Sequence, residues 1–352
     1  MSGGIVQLVA TGVQDTHLTG NPEVSFFRSN FKRYTHFAMS NELQLINGPP
    51  AAAGVSTIRF EKKGDLLSYV YVTARNNGVL QNVNDWAAQI SKIEFLIGGQ
   101  VIDTQDVFFS NTVSPMFLSS SFAQRYAPGA GTMFLPLQFF FCKDIQSAIP
   151  IVALQYHDVE MRITWNAPTS GWEFRVFANF IYLDSEERKY LAEKPQHDIL
   201  FYQVQRVITQ PIFNQEIVFN HPVKFITFPT VAYTSQTHTL KMQVNGIDIG
   251  IEKPLFHYSQ VAPYYHTSYG IDPTNNAWNA TPMALIPFCL DTSKLQPTGT
   301  INFSRIDSFR LVTDPSRTIQ GISDATKSLY IYAVNYNILR ISQGMGGCLY
   351  AS

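Results

Sequence analysis

The residues of this chain that could carry chemistry begin with eight histidines. A protein metal site needs ligands that lie close together, commonly two histidines on one strand and a third ligand nearby. No His-x-His pair occurs, and the histidines in His157-Asp158 and His197-Asp198 have an acidic neighbour that would point to the opposite face of a strand. The sequence therefore predicts no metal site. The histidines are His17, His36, His157, His197, His221, His238, His257 and His266.

The second set of reactive residues is three cysteines, which are too few and too scattered for a disulfide framework. This number fits a reducing compartment. Cys142 and Cys289 lie in apolar surroundings, which favours core packing over nucleophilic reactivity, and Cys348 lies near the end of the chain. There is no G-x-S-x-G elbow and no P-loop, and the glycines at 344–347 follow a strand without a helix after them. We therefore expect no catalytic or cofactor-binding residue, no cofactor and no enzymatic activity.

Charged residues cluster at 185–194, SEERKYLAEK. Paired carboxylates can act in acid–base chemistry, but at helical spacing with cations between them a solvated helix laced by ion pairs is the commoner arrangement. Asp184 precedes this stretch as a candidate N-cap and Pro195 follows it. The pattern predicts a short, solvated helix.

A second helix is indicated after Asn21-Pro22-Glu23, which combines an N-cap, a first-turn proline and an early acid. At helical spacing, one face would carry Val24, Phe27, Phe31 and Tyr34, and the basic residues would be Arg28, Lys32 and Arg33. The basic residues suit either contact with nucleic acid or lipid headgroups, or an ordinary solvated face, and the solvated face is the favoured interpretation.

The remaining composition argues for a structural role. Charged residues make up 14% of the chain, where about 25% is typical. Low charge and many aromatic residues suit burial between subunits, although they suit a β-rich core equally well. The net charge of −1 makes wrapping of a genome or sequence-specific nucleic-acid binding unexpected. We find no signal peptide and no apolar run of membrane-spanning length.

Most of the chain has strand periodicity. In β-alternation, Leu67, Tyr69, Tyr71 and Thr73 fall on one face, and the residues between them fall on the other. Two hairpins are indicated by the glycines of Gly98-Gly99 and by Asn245-Gly246, since tight hairpin turns need positive φ.

The two halves of the chain can be aligned with each other. An offset of 147 residues aligns Gly99 with Gly246 and FCKDIQSAIP (141–150) with FCLDTSKLQP (288–297). Two further matches pair 58–72 with 217–231 at an offset of 159, and Asn179 with Asn335 at an offset of 156. Drifting offsets are what insertions in surface loops produce. Each repeat is about 150 residues long, enough for an eight-stranded jelly roll.

Several long blocks resemble the major capsid proteins of nucleo-cytoplasmic large DNA viruses. They are GGIVQLVATGVQDTHLTGNPEVSFFRSNFKRYTHFA (3–38), LPLQFFFCKDIQSAIPIVALQYHDVEMRI (135–163), YLDSEERKYLAEKPQHDILFYQVQ (182–205), FNHPVKF (219–225), QPTGTINFSRID (296–307) and YAVNYNILRISQGMGG (332–347). The resemblance covers nearly the whole chain. It implies an all-β fold of two tandem eight-stranded jelly-roll sandwiches with short helices in loops, and a homotrimer that forms a pseudo-hexagonal capsomer.

The same resemblance implies that capsomers tile an icosahedral shell over an internal membrane. The expected partners are further copies of the chain, neighbouring capsomers, minor capsid and penton proteins, and the membrane surface; the expected location is the virion, assembled in the host cytoplasm. The alternatives are a minor or vertex capsid protein and a lectin-like binding module of the same architecture. A cupin-like enzyme would need a bound metal. The chain is short for the family, so we expect short outer loops.

We expect an N-terminal arm over 1–23, a first jelly roll over 24–183, a linker with a short helix over 184–198, and a second jelly roll with a C-terminal tail over 199–352. The arm is mildly apolar and lies outside both repeats, which suits a segment that orders on contact with neighbours; the alternative is a tail paired onto its own first sandwich. Asn279 and Asn302 begin N-x-S/T sequons. We expect no N-glycans there, because such viruses assemble in the cytosol and Asn302 falls in an expected strand.

Overall fold

The computed structural model describes residues 4, 9–119, 131–209, 213–230, 238–268, 283–313 and 329–350. Residues 1–36 form one compact unit and residues 37–352 form another. In the first unit a single helical turn, Thr16–Thr19, is described. Every described residue before Phe37 is exposed to solvent.

Residues 37–183 form two antiparallel sheets. Their strands are β1 (Phe37–Gln44), β2 (Ile46–Asn47), β3 (Val55–Arg59), β4 (Leu66–Asn76), β5 (Val79–Leu80), β6 (Ile90–Ile97), β7 (Gln100–Gln105), β8 (Phe134–Pro136), β9 (Ile149–Pro150), β10 (Val159–Trp165) and β11 (Trp172–Leu183). One sheet has the order β1-β11-β4-β5, with β8 and β9 also paired to β4, and the other has the order β2-β3-β10-β6-β7. The first strand therefore pairs with the last, and β3 with the last but one, as in a jelly roll.

Residues 196–348 repeat this arrangement. Their strands are β12 (Gln196–Thr209), β13 (Asn214–Ile217), β14 (Pro222–Pro229), β15 (Thr239–Val244), β16 (Ile247–Pro254), β17 (Met283–Pro287), β18 (Ile301–Asn302), β19 (Phe309–Thr313), β20 (Leu329–Ser342) and β21 (Met345–Cys348). The sheet orders are β12-β20-β14-β17 and β13-β19-β15-β16, with β18 on β14 and β21 on β20. The predicted fold of two jelly rolls is confirmed.

Short helices occupy the connections between strands. The α-helices are Trp86–Gln89, Ser114–Phe117, Phe140–Lys143, Ser185–Glu193 and Ala262–His266; the 3₁₀ turns are Ile145–Ser147, Ile151–Ala153 and Phe303–Arg305; and the π-helical turns are Phe109–Val113 and His257–Val261. The predicted charged helix is confirmed at Ser185–Glu193, where the Asp184 carboxylate accepts a hydrogen bond from the Glu187 N–H.

The helix predicted after Asn21 is wrong. Residues 21–36 contain no helix, and Asn21 has a φ of 51° rather than the extended backbone of an N-cap. Phe27, Phe31 and Tyr34, which would have formed the apolar face, are all exposed. An isolated helix of this length is marginal in water, and without a surface to cover its apolar stripe it gains nothing from packing.

Both predicted hairpins are confirmed. Gly98-Gly99 joins β6 to β7, with Ile97 opposite Gln100, and Asn245-Gly246 joins β15 to β16, with Val244 opposite Ile247. All four turn residues have positive φ. Gly99 and Gly246 therefore occupy the same place in the two sandwiches, as the 147-residue offset predicts.

The strand registers correct the other offsets. In the first sandwich, Val70 lies opposite Ala178 and Leu67 opposite Phe180, and in the second Ile226 lies opposite Ala333 and Val223 opposite Asn335. These inward-facing pairs put β4 and β14 at an offset of 226 − 70 = 156, not 159. They put β11 and β20 at 333 − 178 = 155, so the partner of Asn335 is Phe180 and not Asn179. A bulge in each strand pair hides this shift from sequence comparison.

The alignment of 141–150 with 288–297 also fails at its C-terminal end. Ile149–Pro150 pairs with β4 where Ile301–Asn302 pairs with β14, so Pro150 and Pro297 are not equivalent. The connection before the paired residues is longer in the second sandwich, and a fixed offset cannot follow it.

Candidate functional site

The structure does not assemble the described histidines into a metal-binding cluster. Among the described residues, no three side chains of His, Cys, Asp or Glu approach closely enough to hold a metal ion. Three histidine rings contact backbone carbonyl oxygens instead: His157 Nδ1 at 2.9 Å from Gly346 O, His197 Nε2 at 2.8 Å from Leu191 O, and His266 Nδ1 at 2.9 Å from Cys289 O. These contacts tie a loop to β21, the helix Ser185–Glu193 to β12, and the helix Ala262–His266 to the loop after β17.

The cysteines are all free. Cys289 is buried, as expected, whereas Cys142 is only partly buried, which corrects the expectation that both lie fully in the core. Burial nevertheless raises the pKa of the Cys142 thiol to about 12 and that of Cys289 to about 11. Both thiols therefore stay protonated and weakly nucleophilic near neutral pH.

The Ser185–Glu193 helix makes two separate ion pairs. Arg188 Nε lies 3.0 Å from Asp65 Oδ1, and Lys189 Nζ lies 3.9 Å from Glu193 Oε1. Asp65 is nearly buried and also accepts the Leu183 N–H at 2.9 Å. The Arg188–Asp65 pair fixes the linker helix to the first sandwich, and the Lys189–Glu193 pair has the i,i+4 spacing of a solvated helix.

Asn302 lies in β18, as expected, and its side-chain oxygen accepts the Ser304 N–H at 3.0 Å. Asn279 falls outside the described residues. Within the described ranges, no helix has the length and apolar character to cross a lipid bilayer.

The charged residues with the most unusual environment lie between the two sandwiches. Asp103, in β7, is buried and accepts hydrogen bonds from Val204 N at 3.0 Å, Thr104 N at 3.0 Å and Gln105 Nε2 at 2.8 Å. Removal from water raises the pKa of this carboxyl to about 7, although the three donors oppose the shift. Asp103 thus links β7 of the first sandwich to β12 of the second.

Asp106 forms the second polar link across this junction. Its carboxylate receives the Arg206 guanidinium at 2.5 Å and the Tyr332 hydroxyl at 2.8 Å. The other oxygen accepts the Phe109 N–H at 2.7 Å, at the beginning of the helical segment 109–117. One carboxylate therefore joins this segment to two strands of the second sandwich.

Two lysines are held in apolar surroundings near the same junction. Desolvation lowers the pKa of Lys143 to about 7, and the positive charge of Lys224 acts in the same direction. Burial lowers the pKa of Lys224 to about 8. The Lys143 Nζ donates to Ser114 Oγ at 2.5 Å, and the Lys224 Nζ donates to the Lys294 carbonyl at 3.0 Å. Among the described residues, each ammonium has one hydrogen-bond acceptor, and it costs free energy when charged.

Aromatic contacts form part of the apolar surface of the junction. The Phe117 ring packs edge-on against Phe225 with centroids 5.9 Å apart, and Phe108 stacks on Tyr332 at 6.0 Å. Phe140 packs against Phe201 at 4.7 Å. The first sandwich therefore covers the outer face of the β12-β20-β14-β17 sheet, and the two form one continuous apolar core there.

Two apolar surfaces are left uncovered within the described part of residues 37–352. The edge strand β16 exposes Ile247, Ile249 and Ile251 on one face. The outer face of the β1-β11-β4-β5 sheet carries a cleft of about 780 Å³, lined by Tyr69, Tyr71, Phe134, Phe177 and Lys143 among others. Large apolar patches of this kind mark sites of protein association.

Sequence reasoning did not single out the junction residues Asp103, Asp106, Lys143 and Lys224. A signal was present, because Lys143 follows the run FFFC and Lys224 interrupts HPVKFITF. A lone charge within an apolar run indicates either a strand end or a buried, partnered charge. The choice between them depends on the packing of the other half of the chain.

Comparison with known proteins identifies both halves. The family model "Major capsid protein N-terminus" matches residues 25–184, and the model "Large eukaryotic DNA virus major capsid protein" matches residues 230–347. Two relatives, both described as major capsid proteins, align over 100% of both chains. They are those of Pyramimonas orientalis virus, 30% identical, and Paramecium bursaria Chlorella virus 1, 29% identical.

A solved structure agrees with these matches. The crystal structure of PBCV-1 VP54, fitted into a cryo-EM reconstruction of the virophage Sputnik, superposes with a TM-score of 0.74. It is 25% identical, and the alignment covers 93% of this chain and 100% of that one. The chain therefore shares the fold of this structure.

Proposed function

Because this chain belongs to the major capsid proteins of large eukaryotic DNA viruses, we propose that three copies of it associate into one pseudo-hexagonal capsomer. The two jelly rolls of each copy would give six similar sandwiches around the capsomer. Membership of the family makes the chain a component of the capsid shell. The trimer and the tiling of an icosahedral shell are proposals that go beyond this.

The observation that carries the proposal is the pair of uncovered apolar surfaces. A chain with only 14% charged residues exposes isoleucines along β16 and aromatic residues in the cleft, on opposite sandwiches. Leaving both in water is unfavourable at about 25 cal/mol per Å² of apolar surface. Association that covers both would bury well over ~2,000 Å² per pair of copies, as in obligate assemblies.

Within this proposal the protein acts structurally and not as an enzyme. Residues 24–183 and 199–352 are the two wall units, 184–198 is the linker, and 1–23 is an arm directed to minor capsid proteins, penton proteins or the internal membrane surface. The exposed apolar side chains of this arm, among them Val9, Val13 and Leu18, support a segment that orders on contact. Assembly is proposed to occur in the host cytoplasm.

Sedimentation velocity of the purified chain tests the proposed trimer. We expect a species with three times the mass of the chain that persists on dilution, because obligate interfaces resist dissociation. A monomer at all concentrations would refute it. Protein bands of purified virions test the role: a major capsid protein dominates by mass, whereas a minor or vertex protein of the same architecture would be a weak band.

A further inference from the structure

The contact between the two sandwiches of one copy is made by a helical segment at the end of β7. Residues 109–117 consist of a π-helical turn followed by a short α-helix with proline at its start. Phe117, which is 1% exposed, ends this segment and packs on Phe225. Phe108, just before the segment, stacks on Tyr332. Phe225 and Tyr332 belong to the outer face of the second sandwich.

The second sandwich has the same segment at the end of β16. A π-helical turn at His257–Val261 leads into the α-helix Ala262–His266, again with proline at its start. The offset of 148 residues aligns the π turns, Pro115 with Pro263, and Phe117 with Tyr265. Tyr264 and Tyr265, however, are 67% and 72% exposed. The residue that corresponds to the buried Phe117 is therefore an aromatic side chain left in solvent.

The first sandwich has a face that corresponds to the one with Phe225 and Tyr332 in the second sandwich, and this face is exposed. The strand registers that align Val70 with Ile226 and Ala178 with Ala333 place Tyr69 at the position of Phe225. They likewise place Phe177 at the position of Tyr332. Tyr69, which is 45% exposed, and Phe177, which stacks on Tyr71 at 5.2 Å, both line the 780 Å³ cleft.

We propose that Tyr265 of one copy inserts into the cleft at Tyr69 and Phe177 of a second copy, repeating between chains the contact that Phe117 makes with Phe225 within one chain. This inference rests on the association of copies proposed above and names the residues that would make it. Phe256, partly buried and equivalent to Phe108 at the same offset, would then stack on Phe177.

The chemistry of the cleft suits a tyrosine. Its walls are largely aromatic and apolar, and no carboxylate is among the described residues that line it. A buried phenol hydroxyl usually needs a hydrogen-bond partner, and the side-chain amides of Asn41 and Gln138 line the same cleft. Phe117 has no hydroxyl, and the cleft residue that corresponds to Phe225 is also a tyrosine, so this version of the contact is the more polar of the two.

The contact is directional. Each copy carries one Tyr265 and one cleft, on different sandwiches, and in the proposed ring each copy gives its Tyr265 to one neighbour and its cleft to the other. Such head-to-tail interfaces produce closed rings or open chains. Because the proposed contact between copies repeats the contact within a copy, three copies with six sandwiches would use one type of contact throughout the ring.

Chemical cross-linking tests the pairing directly. Chains carrying Tyr265→Cys and chains carrying Tyr69→Cys are prepared separately, mixed under dissociating conditions, reassembled, and treated with a short bis-maleimide. We expect covalent dimers on a denaturing gel from the mixture and from neither chain alone, because the native thiols are weakly reactive. The double variant should give covalently closed trimers. Absence of dimers from the mixture, in a protein that sediments as a trimer, would overturn the inference and leave the trimer standing.

Substitution supplies an independent measurement. Tyr265→Ala should weaken association at least about 30-fold, as expected for an aromatic residue at the centre of an interface. Tyr190→Ala, at an exposed tyrosine of the linker helix, is the matched control and should leave association unchanged. Both positions are exposed, so the folded chain should melt normally in each case. A Tyr265→Ala chain that associates like the wild type would contradict the inference, and a wild-type chain that is always monomeric would refute both it and the proposed trimer.

Discussion

The Asp103 carboxylate accepts the Val204 N–H at 3.0 Å and thereby joins the last strand of one sheet to the first strand of the next sandwich. The bond is made by a carboxyl whose pKa is raised to about 7 by burial. The junction between the sandwiches therefore contains a group that changes charge within the range of ordinary experiments.

This shift predicts how stability depends on pH. Between its unfolded pKa near 3.8 and its folded pKa near 7, Asp103 binds a proton more tightly in the folded chain than in the unfolded chain. The free energy of unfolding should therefore fall as pH rises from about 4 to about 7, by an amount on the order of 1–4 kcal/mol. Asp103→Asn should remove this part of the slope in urea titrations at several pH values.

The control for Asp103 is Asp198→Asn. Asp198 is exposed, and its hydrogen bond with Arg340 lowers the pKa of the carboxyl, so its contribution has the opposite sign and is lost as pH falls. Asp198→Asn should leave the decline toward pH 7 in place. An Asp103→Asn chain with the wild-type slope between pH 4 and pH 7 would show that Asp103 is not the titrating group.

Tyr332→Phe should destabilise the chain by about 1 kcal/mol, because it removes the hydroxyl that donates to Asp106 at 2.8 Å. The carboxylate keeps its ion pair with Arg206, and the ring keeps its stacking on Phe108, so the loss stays small. Tyr330→Phe, on the same strand but partly exposed, should stay within about 0.5 kcal/mol of wild type. Chemical denaturation measures both; a neutral Tyr332→Phe would mean that the hydroxyl bond adds nothing to the junction.

The three thiols should react slowly in the native protein and rapidly after unfolding. Burial raises the pKa of Cys348 to about 11, close to that of Cys289 and below the value of about 12 for Cys142. At about pH 8 only a small fraction of each would be thiolate. Colourimetric thiol titration with and without denaturant measures this, and Cys289→Ala identifies the signal of the buried thiol. Fast native labelling of Cys289 would contradict its place in the core.

Deletion of residues 2–19 should leave a folded trimer with nearly unchanged melting temperature but impair assembly of shells. All described residues before Phe37 are exposed, so none of the described residues of this segment belongs to the core. Thermal melting and sedimentation measure the first part, and electron microscopy of assembly reactions measures the second. If the truncated chain failed to trimerise, the segment would belong to the fold; if it built normal shells, the arm would have no assembly role.

Local signals in the sequence were enough for the hairpins and the charged helix. Gly98-Gly99 and Asn245-Gly246 need positive φ wherever they occur in a tight turn, and Asp184 caps a helix through its own side chain. These features are decided within a few residues. The jelly-roll architecture followed from the repeated pattern and from the family resemblance together.

The remaining features depend on distant residues. The bulges that shift Asn335 onto the position of Phe180 arise from strand pairing, which no local pattern reveals. The segment after Asn21 has the periodicity of a helix but no described surface to cover its apolar face. The motif Val-x-Pro occurs in the sequence at 113–115 and again at 261–263. The sequence does not show that the aromatic residue after the first motif, Phe117, is buried while the one after the second, Tyr265, is exposed.

The exposed edge strand β16 must be covered quickly in the newly made protein. Its isoleucines at 247, 249 and 251 are exposed on a strand that, among the described residues, pairs only with β15. Such an edge can be extended by any other strand, and Asp248 and Glu252 on its opposite face provide the main charge against that outcome. Capture by the correct neighbour therefore competes with aggregation from the moment the chain folds. Both outcomes need a second chain and speed up as the protein accumulates, so the assembly that covers β16 soonest leaves the least time for aggregation.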